Sequence, residues 1–131
     1  MKQKMQGKHL FEYAVIRVVP RVEREEFINV GVILFCSKLK FLKTQITVND
    51  QRLSAFSGTL DLEEIRTNLH AFAEVSNGVF VGSTIAHLDQ ASRFRWLTAM
   101  RSTVIQTSRI HPGFCEDPNE KLQRLHDQLV L

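Results

Sequence analysis

Tyr13-Ala14-Val15-Ile16-Arg17-Val18-Val19-Pro20 is followed, after a charged stretch, by Phe27-Ile28-Asn29-Val30-Gly31-Val32-Ile33-Leu34-Phe35-Cys36. Both runs are rich in β-branched and aromatic residues and read as strands. The first extends back to about Leu10 and ends at Pro20, which has no N–H to give to a ladder. The second, from Ile28 to Cys36, is nearly all apolar, the pattern of a central strand covered on both faces. Between them, Arg21, Glu23, Arg24, Glu25 and Glu26 form an exposed loop or a single helical turn. Two polar residues sit inside these apolar runs, Arg17 and Asn29. A charge in a buried strand is costly unless it is paired, so Arg17 needs a partner or a purpose.

Working outward, Ser37-Lys38-Leu39-Lys40 turns the chain back, and Phe41 to Val48 alternates, with Leu42, Thr44, Ile46 and Val48 on one side. That is a hairpin whose outer strand is the more exposed. Asn49-Asp50 can cap a short helix carrying Leu53 and Phe56. Asp61 with Glu64 forms a capping box, and Leu62, Ile65, Leu69 and Phe72 then recur at helical spacing up to Asn77-Gly78. Val79-Phe80-Val81 is strand-like but closely bracketed by Gly78 and Gly82. Leu88 to Met100 reads as a helix containing Trp96, Thr103 to Ile110 as a strand, and Pro112-Gly113 as a break. Asp117, Pro118 and Glu120 start a last helix whose stripe is Leu122, Leu125 and Leu129. The order predicts an α+β domain: a mostly antiparallel sheet of about four strands with helices packed on one face. The last strand should pair with the first or lie at the sheet centre. Residues 1–8 are polar and expected to be flexible, leaving 9–131 as one domain.

The 131 residues, 44% of them hydrophobic, suit a single core, and the net charge of +3 is mild. Nucleic acid is not an expected partner, because the basic residues are spread rather than clustered and no stacking aromatics interleave them. The positive N-terminus lacks an apolar signal core, and no apolar run is long enough for a membrane, so the expected home is the cytoplasm. Two cysteines make no disulfide framework. Cys36 reads as a small hydrophobe, while Cys115 near His111 offers too few ligands for a metal. No cofactor is indicated: there is no phosphate-cradling glycine loop and no His-Glu-x-x-His. His70 and His126 lie on helical stretches and read as surface or boundary residues.

The residues left for chemistry are few. Arg17 could reach past the strand end into water, pair with Glu12, Glu25 or Glu26, or present its planar fork to a carboxylate or phosphate. Asn29 shares a face with Gly31, either as a donor–acceptor beside a close approach or at a β-bulge bonded to local backbone. Arg95 falls on the side of Leu88, Ala91 and Ala99 rather than simply on the solvent face. Arg101-Ser102-Thr103, at a helix-to-strand junction, could cradle an anion or satisfy the helix end. Arg17, Asn29, Arg95, Arg101, Ser102 and Thr103 are therefore the candidate anion- or partner-binding residues. Glu26 and His111 are the weak acid–base candidates, without a nucleophile at readable spacing.

The opening stretch, together with Arg93-Phe94-Arg95-Trp96-Leu97-Thr98-Ala99, Arg101-Ser102-Thr103-Val104-Ile105-Gln106, His111-Pro112-Gly113 and Asp117-Pro118, resembles a bacterial family catalogued as domain of unknown function 3037. The resemblance runs from about Tyr13 to Val130. It implies a short regulatory or accessory protein that acts by contact with another protein, a HipA-like kinase being the partner it suggests. Homo-oligomers are compatible with it. A small enzyme or nucleotide-handling protein using Arg17, Arg95 and Arg101 around a phosphate is the alternative, and a weak nucleic-acid binder the second alternative.

Overall fold

The computed structural model of the protein describes residues 7–79, 82–101 and 103–131. Its elements in chain order are β1 (His9–Val18), β2 (Ile28–Cys36), β3 (Phe41–Ile46), α1 (Asp50–Phe56), α2 (Leu62–Asn77), α3 (Gln90–Leu97), β4 (Ile105–Thr107), β5 (His111–Cys115) and α4 (Pro118–Leu129). Single 3-10 turns occupy Val22–Arg24 and Ile85–His87. The expected flexible start lies mostly outside the described residues, as do Phe80 and Val81 of the strand-like stretch and Ser102 of the expected cradle.

The strands make one antiparallel sheet, ordered β3-β2-β1, with β4 and β5 both on the far side of β1. It has five strands rather than four: of the strand expected over Thr103–Ile110 only Ile105–Thr107 is ladder, and a further strand follows at His111–Cys115. Ile16 faces Thr107, whereas Tyr13 faces His111, so one extra residue is accommodated around Arg109-Ile110. There Ser108 mends the ladder: its Oγ accepts the Val15 N–H at 2.9 Å, and its own N–H donates to the Val15 carbonyl at 2.8 Å. Pro112-Gly113, expected as a break, lies inside β5. A proline is tolerated there because β5 is an edge strand. Gly113 is needed because a Cβ would come within 2.7 Å of the Phe11 ring.

Period-two alternation sorts the core. Ala14, Ile16 and Val18 of β1, with Ile33 and Phe35 of β2, pack against Leu53 of α1, Ile65, Leu69, Phe72 and Val75 of α2, and Phe94 and Leu97 of α3. Phe11 of β1 and Val32, Leu34 and Cys36 of β2 point the other way and pack against Leu122 and Leu125 of α4. Helices thus cover both faces, which corrects the expectation of one. The physical reason is in β2: an unbroken apolar strand needs cover on each side, and the α4 stripe supplies the second. α4 also reaches over β3, where Lys43 Nζ donates to Asn119 Oδ1 and Gln123 donates to Gln45.

Each helix starts on a capping side chain. Asn49 accepts from Arg52 N–H, Asp61 from Glu64, Asp89 from Ser92, and Asp117 from both Asn119 and Glu120. Gly78 ends α2 at φ 72°, a conformation that favours glycine. α3 is shorter than the helix expected over Leu88–Met100. Asp89 caps it late, and it ends at Thr98, whose hydroxyl donates to the Phe94 carbonyl at 2.7 Å.

Candidate functional site

A second bulge sets the geometry around Arg17. Ile16 pairs with Gly31, but Arg17 pairs with Asn29, leaving Val30 as the extra residue of β2. Gly31 has no room for a side chain, since a Cβ would lie 2.8 Å from the Gln45 carbonyl and 2.9 Å from Ile46 Cγ1. The bulge places Arg17 and Asn29 together on the α4 side of the sheet. The Arg17 guanidinium lies 3.7 Å from the centre of the half-exposed Phe27 ring. None of Glu12, Glu25 or Glu26 forms an ion pair with it, and its Nε is buried without a hydrogen-bond partner among the described residues. Burial pulls the Arg17 pKa down from its ordinary value.

Asn29 has a different task. Its Nδ2 donates to the Leu129 carbonyl at 3.0 Å, and Arg52 donates to the Val130 carbonyl at 2.8 Å. The two side chains satisfy carbonyls that the end of α4 leaves open, so they tie that helix to the sheet. The bulge expected at Asn29–Gly31 is present, but the backbone that Asn29 serves is 100 residues away.

The second cluster lies across the sheet. A cavity of about 620 Å³ opens between α2 and the chain from Trp96 to Thr107. Phe72, Val75, Leu97 and Ile105 form apolar wall, Glu64 and Asn68 one polar rim, and Arg101 and Thr103 the other. Arg101 donates to the Trp96 carbonyl and lies 4.3 Å from the indole centre. Trp96 is 44% exposed and neighbouring Met100 91% exposed, an unusual amount of open apolar surface for one turn of chain. Thr103 donates to the Ile105 carbonyl at 2.6 Å, and its carbonyl accepts from Gln106 at 2.9 Å. Arg101 thus does close the end of α3, the structural role foreseen for it, while its guanidinium remains at the rim of the cavity.

These two arginines do not converge. Arg17 points to the α4 side, whereas the Arg101 cavity is walled by α2. Arg95 joins neither: it is exposed, because α3 begins at Gln90 and buries Phe94 and Leu97 instead of the side expected. Glu26 pairs with Arg24 in the exposed turn, and that hydrogen bond lowers its pKa. His111 lies in β5 with its ring 5.2 Å from that of Tyr13. Cys115 is buried, and burial raises its thiol pKa, the opposite of an activated nucleophile. No group of three or more His, Cys, Asp or Glu suited to a metal occurs among the described residues. His126, expected at the surface or boundary, is buried with Nε2 3.0 Å from Thr47 Oγ1, and burial lowers its pKa.

Asn29 was expected to share a face with Gly31, but the bulge at Val30 turns Asn29 to the α4 side, where Phe27 lies against Arg17. The place of Phe27 under Arg17 was not legible, nor was the polar rim of Glu64 and Asn68, which reads in sequence as an ordinary solvated helix face. A tryptophan five residues before an arginine at the junction of helix and strand was the available signal for the cavity.

The fold and the two arginine–aromatic clusters define an α+β protein with open apolar surface around Trp96 and Met100. A model of the family described as Protein of unknown function (DUF3037) matches residues 13–130. The chain belongs to that family. No curated protein and no solved structure matches it. No helix among the described residues is long and apolar enough to cross a membrane.

Proposed function

We propose that this protein is a small protein-binding module of accessory or regulatory kind, and that the cavity between α2 and the Trp96–Thr107 segment receives its partner. The observation that carries this reading is Arg101 lying over the half-exposed Trp96 at the mouth of an apolar cavity. Tryptophan and arginine are the side chains most often found at the energetic centre of protein interfaces. The surface fits an apolar side chain flanked by a carboxylate: the first would fill the space between Phe72 and Leu97, and the second would meet the Arg101 fork. A HipA-like kinase, the partner suggested by the family, is the first to test, with the cytoplasm as the setting. The enzyme alternative has less support, because Arg17, Arg95 and Arg101 surround no common point.

The test is calorimetric titration of the full chain against a purified HipA-like kinase. Trp96→Ala and Arg101→Met should abolish binding while the fold still melts cooperatively, Arg101→Met losing only its contact with the end of α3, about 1 kcal/mol or less, and Arg101→Lys should bind poorly for want of the planar fork. Binding that survives both substitutions would sink the proposal. Duplex DNA should bind weakly and lose affinity steeply as salt rises.

A further inference from the structure

We propose that the free edge of β5 is an interface with a second copy of this chain, formed by antiparallel pairing of β5 on β5. The ladder shows which backbone groups are open. Val15 turns both its N–H and its C=O toward Ser108, on the β4–β5 side. Backbone direction alternates along a strand, so Tyr13, Phe11 and His9 also turn that way, toward His111, Gly113 and Cys115. The intervening Pro112 and Phe114 therefore turn their backbone groups outward. Proline has no N–H, so the edge presents the Pro112 C=O together with the N–H and C=O of Phe114. An antiparallel copy centred on Gly113 sets the Phe114 N–H of each strand on the Pro112 carbonyl of the other.

Side chains and charges select the same partner and orientation. Leu10 and Phe114 are cross-strand neighbours on one face, 53% and 52% exposed, and Phe114 would lie beside the Pro112 ring of the second copy. β5 contains no Asp, Glu, Lys or Arg, so Pro112 is the one edge-blunting residue within it, and the outward N–H of Phe114 stays free to pair. The opposite edge, β3, carries Lys43. Arg109 and Glu116 flank β5, both exposed and neither in an ion pair among the described residues. Antiparallel pairing brings the Arg109 end of one strand to the Glu116 end of the other, twice per dimer, whereas a parallel copy would set like charges together. Because the same edge serves both copies, the contact closes as a two-fold dimer.

Sedimentation velocity on the full chain over a wide concentration range tests this. The expected result is a reversible species of twice the chain mass. Phe114→Lys should give a monomer with unchanged circular dichroism and with the melting temperature that the native chain shows when diluted to monomer, since the side chain is half-exposed. Arg109→Glu should weaken the dimer by about tenfold across its two symmetric contacts, and adding Glu116→Arg should restore it. A monomer at every concentration, or a Phe114→Lys protein that still dimerises, overturns the proposal. Failure of the double variant to recover overturns the antiparallel pairing.

Discussion

Arg17 carries a charge into a strand beside buried Ile16 and Val18, and Phe27 rather than a carboxylate meets it. Removing the arginine therefore leaves no acid stranded. Arg17→Met should shift stability by no more than about 1 kcal/mol, the lost ring contact being offset by relief of a partly desolvated charge. A loss of roughly 3 kcal/mol in urea denaturation would instead reveal a carboxylate partner. His126 is the residue through which pH should act. Burial lowers its pKa in the fold, so the unfolded chain takes up the proton first, near the ordinary value of about 6.5. Its contribution to stability is complete above that value and is lost as pH falls below it. Urea midpoints measured between about pH 7 and pH 5 should fall more for the native chain than for His126→Gln. Equal slopes would show that the imidazole does not titrate with folding.

At the scale of elements, α4 and the β2 bulge depend on a few contacts each. Asp117 caps two N–H groups of α4, so Asp117→Ala should cost about 1 kcal/mol. Leu122 is fully buried on that helix, and Leu122→Ala should cost about 2–5 kcal/mol, measured by the same denaturation. Gly31→Ala tests the bulge. The methyl would press on the Gln45 carbonyl, which is backbone and cannot swing aside, so β3 must move and the loss should exceed about 1 kcal/mol. A Gly31→Ala protein as stable as the native chain would mean that β2 and β3 can separate freely. The capping signals at Asp61 and Asp117 were legible because a cap and the N–H groups it accepts from in the first turn are neighbours in sequence. The short α3 was not, since Thr98 could have continued the helix as readily as it stopped it.

At the scale of the molecule, the sheet lies between α2 with α3 on one side and α4 on the other. A chain ending at Cys115 would uncover Val32, Leu34 and Cys36 of the central strand. It should fail to melt cooperatively and should aggregate, which calorimetry and light scattering would register. A cooperatively melting fragment would show that the second face needs no cover.

By itself the sequence determined the α+β class, the β2–β3 hairpin, the capped helices and the polar residues set into apolar strands. Those features follow from periods of 2 and 3.6 residues and from caps that act within one turn, all of which are local. Tertiary structure alone decided which face each helix covers, that Asn29 serves the end of α4, and that Arg17 and Arg101 stay apart. Each depends on strand register and on residues far apart in the chain. One extra residue in a ladder, at Val30 or near Arg109, turns every later side chain to the other face while leaving no mark in composition or periodicity.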